Sequence, residues 1–198
     1  MITYIEHIDT QLFLFLNNLR ASWLDSFVYL FSNPFIWIPL YLLVIAAIIK
    51  QWKKKSWLIL LFLLLALGCC DQSCNFLKRN IGRLRPSHTV ELEGKVNLVK
   101  RSDGTLYRGG KYSFPSGHAA NSILFLLFFA FFAKRRRWSL VLMSCWVLLF
   151  AYSRIYLGVH YPLDILFGFL MGSAWGLIFI MLFYRIFSYN KENATDMK

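Results

Sequence analysis

From Phe35 onward, long apolar runs alternate with short polar ones. Phe35 to Ile49 is apolar after Pro34 and is closed by Lys50, Lys53, Lys54 and Lys55. Trp57 to about Phe76 comes next, dense in Leu as far as Leu67 and polar in its last third at Asp71, Gln72, Ser73 and Asn75. A polar stretch from Lys78 to Ser113, holding Gly94, Gly104, Gly109 and Gly110, precedes a third apolar run, His118 to Ala133. Lys134-Arg135-Arg136-Arg137 ends that run; Trp138 to about Arg154 is the fourth and Leu163 to about Phe187 the fifth. Runs near ~20 residues span the hydrocarbon core of a bilayer. The pattern therefore predicts an all-α, polytopic transmembrane helical bundle of about five spans. Residues 1–33 differ: Asn17, Asn18, Arg20 and Asp25 interrupt the apolar positions, which predicts N-terminal helices lying in the interface. The expected division is an interfacial amphipathic segment over 1–33, a transmembrane domain over 34–187 and a mobile polar tail over 188–198.

Composition agrees with a membrane chain. Charged residues make up 16% and hydrophobic residues 58%, whereas soluble domains carry about 25% charge. Met1 to Thr10 lacks a basic n-region and a small-residue cleavage site, so no cleavable signal peptide is expected. The net charge of +12 points to anionic headgroups or a phosphate-bearing substrate, not nucleic acid, as the partner. Cys69, Cys70, Cys74 and Cys145 lie in apolar runs without zinc spacing and read as small apolar residues with no disulfide or metal role. With five spans, Lys50–Lys55 and Lys134–Arg137 share one side, which the positive-inside rule makes cytoplasmic. Nine basic residues in 78–113 oppose these eight; the dense charge beside the short loops decides the orientation. The long loop, the 154–162 connection and the N-terminal segment then lie outside.

That topology gathers three polar clusters at one face. The first is Lys78 with Arg85-Pro86; the second is Pro115-Ser116-Gly117-His118; the third is Ser153-Arg154 with His160 and Asp164. Ser116 is a good N-cap, and Pro115 tolerates a first turn, so a helix should begin here with the N–H groups of Ser116, Gly117 and His118 at its positive end. Such an end binds anions, and Gly117 lets one approach the backbone. Lys78, Arg85 and Arg154 supply three cations suited to phosphate oxygens. His160 and Asp164, four apart, stack on one face if the turn is already helical, and a carboxylate there fixes the imidazole's tautomer. His160 then serves as nucleophile and His118 as general acid. This constellation reads as phosphoryl transfer through a phosphohistidine. No acidic cluster is present to hold Mg²⁺, so metal-independent catalysis without a cofactor is expected.

The clusters resemble the signature of the type 2 phosphatidic acid phosphatase superfamily. Lys78, six residues, Arg85-Pro86; Pro115 to His118; and Ser153-Arg154, five residues, His160, three residues, Asp164 match it at eleven positions over 78–164. The resemblance implies His160 as nucleophile, Asp164 as its support and His118 as acid. It implies Lys78, Arg85, Ser116, Gly117 and Arg154 as phosphate ligands, with Ser153 and Pro115 supporting them. It implies a lipid phosphatase; the topology puts the site at the outer face, and the short, loop-poor chain suggests a bacterial-type inner membrane. Candidate substrates are undecaprenyl pyrophosphate, lipid A phosphates, phosphatidylglycerophosphate and phosphatidic acid. A phosphotransferase using the same intermediate, and an anion or lipid transporter without hydrolysis, are the alternative readings. Arg79, Arg83, Lys95, Lys100, Arg101, Arg108 and Lys111 read as headgroup anchors or steering charges, and His7 and His88 as interface histidines. Asp71 pairs with an active-site Arg or with Asn75. Small residues in the last run, including Gly168, Gly172 and Gly176, suggest close packing within the bundle or in a dimer; the oligomeric state stays open.

Overall fold

The computed structural model describes residues 2–101, 103–133 and 137–195. Among these residues there are seven α-helices: α1 (Ile2–Asn18), α2 (Asp25–Phe31), α3 (Ile38–Trp52), α4 (Ser56–Ile81), α5 (Gly117–Phe132), α6 (Arg137–Tyr156) and α7 (Pro162–Thr195). Among the described residues the only β pairings are two isolated bridges, Leu84 with Tyr112 and Lys100 with Leu106, in the long loop between α4 and α5. Residues 34–81, 137–156 and 162–187 are long and apolar enough to cross a bilayer. The first of these stretches contains both α3 and α4, which meet at Lys53 in a left-handed conformation of φ 46°. Outward-facing Leu43, Leu64, Leu149, Leu170 and Met181 are exposed. Side chains of this kind are stable only against lipid, and the protein is an integral membrane protein.

The centre of the bundle is α5, packed by α3, α4, α6 and α7. Its Phe- and Leu-rich sequence is apolar on every side, the pattern of a helix surrounded by others. Ala119, Ala120, Leu124, Phe128 and Phe132 are all fully buried. Glycines set how closely α7 approaches it. A Cβ on Gly168 would stand 2.5 Å from the Ser116 carbonyl and 3.1 Å from Ala119 Cβ, and one on Gly172 would overlap the Ala120 carbonyl. The small-residue seam thus serves the bundle, by letting backbones meet.

Three expectations change. Lys78 is helical, because α4 runs past the polar residues 71–80 to Ile81 and ends only where Gly82 turns left-handed, φ 65°. No Gly or Pro lies between Asp71 and Ile81, and the buried Cys70 and Cys74 keep that face inside. The last helix continues beyond Phe187 to Thr195, since Asn190-Lys191-Glu192-Asn193-Ala194 contains neither Gly nor Pro to stop it. In α1 two polar residues, Asp9 and Asn17, are buried beside Phe13, while Ile5, Ile8, Leu12 and Phe15 face out. Asn17 donates to the carbonyls of Ile155 and Tyr156, both at 3.0 Å. Of the second basic loop, Lys134, Arg135 and Arg136 lie outside the described residues, as do the tail residues 196–198.

Candidate active site

The three clusters meet at one end of the bundle, and each is positioned by a local device. Ser116 is the N-cap of α5: its Oγ accepts from the Ala119 N–H at 3.5 Å. Its own N–H donates to the Asp164 carbonyl at 2.9 Å. This corrects the expectation of three N–H groups open to an anion. Ser116 instead ties α5 to α7, a contact the glycine seam permits. Gly117 and His118, as first-turn residues, are left without intrahelical partners for their N–H groups. Lys78 reaches over them from α4; a Cβ on Gly117 would stand 3.8 Å from Lys78 Nζ.

Asp164 sits in the first turn of α7, just inside Pro162. Its Oδ2 folds back to accept the Tyr161 N–H at 2.8 Å, half of a capping box. That turn brings the same Oδ2 to 3.5 Å from His160 Nδ1. Helical stacking therefore does not make the pair, because His160 precedes the helix. Nδ1 has no aligned hydrogen bond among the described residues. The ring is buried. Burial first, then the charges of Arg85, Arg154 and Lys78, hold it well below the ordinary histidine range. It is neutral at neutral pH, with three cations around it.

Arg154 is buried; its Nη2 donates to Tyr107 Oη at 3.2 Å, and its Nε lacks a partner among the described residues. Its carbonyl accepts the N–H groups of Val159 and His160, which shapes the turn that carries the histidine. Arg85 Nε donates to the Tyr112 carbonyl at 3.0 Å. Burial, then Arg154, push Arg85 down to about 10, so it stays charged at neutral pH. Gly109 lies against it at φ 67°, where a Cβ would collide with the guanidinium. Ser153 and Pro115 are buried; the Ser153 hydroxyl donates to the Phe150 carbonyl at 2.6 Å within α6. His118 packs on Phe150 with ring centroids 5.6 Å apart. With Lys78 and Gly117 it lines a cavity of about 670 Å³ that continues between α3, α4, α5 and α6.

Sequence reasoning missed two residues here. Arg83, expected at the lipid surface, donates to Asp164 Oδ1 at 2.8 Å and to Asp9 Oδ2 at 2.6 Å, and lies over the Tyr161 ring at 4.0 Å. It is pulled inward because two buried carboxylates need a common cation. Asp9 Oδ1 also accepts the Leu163 N–H at 2.9 Å and so caps α7 from α1. An acid among apolar positions of α1 was the only available signal for Asp9; no spacing marks Arg83. Arg79, Lys95, Lys100, Arg101, Arg108 and Lys111 are exposed. Asp71 accepts from Asn75 Nδ2 at 3.0 Å and lines the cavity. No group of three or more metal-ligating side chains occurs among the described residues.

Lys78, Arg85 and the buried Arg154 stand around a neutral histidine at one end of a helical membrane bundle, an arrangement that can hold an anion. Residues 55–190 match the PAP2 superfamily, and the chain belongs to it. A lipid A 4'-phosphatase of Bacteroides thetaiotaomicron is 35% identical over 189 residues, 94% of this chain and 81% of that protein. A lipid A 4'-phosphatase of Porphyromonas gingivalis is 36% identical over 191 residues, covering 96% and 77%. Among solved structures, Aquifex aeolicus LpxE superposes with a TM-score of 0.68 at 26% identity, over 87% of this chain and 94% of that one. The protein is accordingly a hydrolase, a membrane lipid phosphatase.

Proposed function

We propose that the protein removes a phosphate from lipid A or a closely similar acylated glycolipid, at the outer face of a bacterial inner membrane, through a phosphohistidine. The observation that carries this reading is the placement of Lys78, Gly117 and His118 at the head of an apolar cavity. A phosphate held there leaves its acyl chains in the bundle, and the two relatives named above act on lipid A by name. In this reading α3 to α7 each cross the membrane, with α1 and α2 at the outer face.

Lys78, Arg85 and Arg154 neutralise the phosphate oxygens, joined by the N–H groups of Gly117 and His118. His160 Nε2 attacks phosphorus while Asp164 faces Nδ1. The bond from phosphorus to the sugar oxygen breaks, and that oxygen takes a proton from His118. Water then attacks the phosphohistidine, giving its proton to His118; the P–N bond breaks and inorganic phosphate leaves. Three protein cations supply the positive charge that a metal provides elsewhere. Arg83, fixed by Asp9, holds Asp164 in place as a positioning residue.

The test is phosphate release by the purified protein from lipid A, undecaprenyl pyrophosphate, phosphatidylglycerophosphate and phosphatidic acid. His160→Ala is the control, and acid-labile, base-stable labelling from ³²P-substrate reports the intermediate. Preferred turnover of lipid A with label on the wild type alone is expected. Transfer of phosphate to an added alcohol in place of water would assign a phosphotransferase; full activity of His160→Ala would refute the mechanism.

A further inference from the structure

Arg154, on α6, is 2% exposed. A buried guanidinium is costly unless its five N–H donors find acceptors. Among the described residues Arg154 has no carboxylate partner and donates to a single group, Tyr107 Oη, at 3.2 Å from Nη2. Tyr107 stands in the long outer loop, 47 residues away and outside all three sequence clusters. We infer that Tyr107 is a positioning residue for phosphate binding: its hydroxyl sets the plane of the Arg154 guanidinium, and so the aim of the remaining donors at the phosphate. This deepens the proposed function and rests on its assignment of Arg154 to the phosphate.

The loop holds that hydroxyl in place. Gly104, at φ 82°, turns the chain so that Val99 to Arg101 lies against Thr105 to Tyr107. The Tyr107 N–H donates to the Val99 carbonyl and the Arg101 N–H to the Thr105 carbonyl, both at 2.8 Å. Val99 is buried in a cluster with Tyr156, Leu157 and Val159, which seats the turn beside the end of α6 that carries Arg154. The Tyr107 ring meets Tyr29 of α2 edge-on at 5.3 Å, and the Arg101 guanidinium lies over it at 5.3 Å. A phenylalanine would make both ring contacts; among the described residues the hydroxyl has Arg154 as its one partner. Burial raises the pKa of the phenol, but the charges of Arg154, Arg85 and Arg101 outweigh it and lower the pKa. The oxygen therefore feels two of the cations assigned to the phosphate. A guanidinium is a rigid planar fork. With its stem leaving α6 and Nη2 held by Tyr107, the fork cannot turn about its stem. Without the hydroxyl that rotation is free and must be frozen each time phosphate binds, a cost that falls alike on the bound lipid and the transition state.

The experiment compares wild type, Tyr107→Phe, Arg154→Lys and the double variant as full chains in detergent. The substrate is the lipid phosphate that the wild type turns over fastest, and inorganic phosphate is the inhibitor. Tyr107→Phe keeps the ring, so its unfolding temperature should stay within about 2 °C of wild type. Its KM and its inhibition constant for phosphate should each rise about tenfold, with kcat within about threefold. Arg154→Lys keeps the charge but offers no Nη2 for Tyr107 to hold, so adding Tyr107→Phe to it should lower kcat/KM less than about twofold further. KM and phosphate inhibition within about twofold of wild type in Tyr107→Phe would overturn the inference. So would a further loss of about tenfold in the double variant, since the hydroxyl would then act without Arg154. Both results leave the proposed function standing. A wild type that releases no phosphate from any lipid and is not inhibited by inorganic phosphate would overturn the proposed function and this inference with it.

Discussion

Removing Asp9 tests whether α1 belongs to the catalytic machinery or merely rests on the membrane. Its side chain is 1% exposed and accepts two bonds, from Arg83 at 2.6 Å and from the Leu163 N–H at 2.9 Å. A hydrogen bond to a charged partner contributes about 1.5–3 kcal/mol, and loss of a helix cap costs about 1 kcal/mol. Asp9→Ala should therefore destabilise the fold by about 2.5–4 kcal/mol by the same principles. The loss also frees Arg83 to bear on Asp164 alone, drawing that carboxylate from the 3.5 Å approach to His160 Nδ1. We expect kcat to fall at least tenfold with KM within about threefold, because the cations proposed to hold the phosphate are untouched. Asp9→Asn keeps an acceptor for Leu163 and removes the charge, so it should recover most of the stability and little of the rate. Thermal unfolding in detergent and steady-state phosphate release read the two effects separately. Unfolding within about 0.5 kcal/mol of wild type, with kcat within twofold, would refute the argument.

Other outcomes follow from the same geometry. Gly172→Ala places a methyl group on the Ala120 carbonyl and should cost about 1–3 kcal/mol by overpacking the α5–α7 seam, read as a lower unfolding temperature; an unchanged temperature would mean the seam is slack. Burial and cations depress the pKa of His160, so below the unfolded value of about 6.5 the unfolded chain binds a proton that the folded chain refuses. Stability should fall as pH drops from about 6.5 toward the lower folded pKa, and His160→Gln should flatten that slope. EDTA should leave phosphate release intact, since Lys78, Arg85 and Arg154 carry the charge; loss restored by added Mg²⁺ would contradict this.

The order and type of the helices were legible in the sequence, because apolar run length is a property of local composition and the bilayer sets the length required. The candidate site positions were legible as motifs: Arg85 precedes Pro86, Gly117 and His118 follow Pro115-Ser116, and His160 lies between Gly158 and Pro162, whereas nothing of that kind marks Lys78 inside α4. Tertiary structure decided what depends on contact between distant segments. Arg83 and Asp164 are 81 residues apart, and Arg83 and Asp9 are 74 apart; no periodicity links them, and each alone resembles a headgroup anchor or a stray acid. Whether the Ser116 N–H faces an anion or the Asp164 carbonyl depends on how near α7 comes, which Gly168 and Gly172 set by lacking a Cβ. The burial of Asp9 and Asn17 in α1 has the same origin. Its polar residues have partners only once α6, α7 and the long loop stand beside them, while its apolar residues have lipid, so burial follows from the neighbours and not from hydropathy.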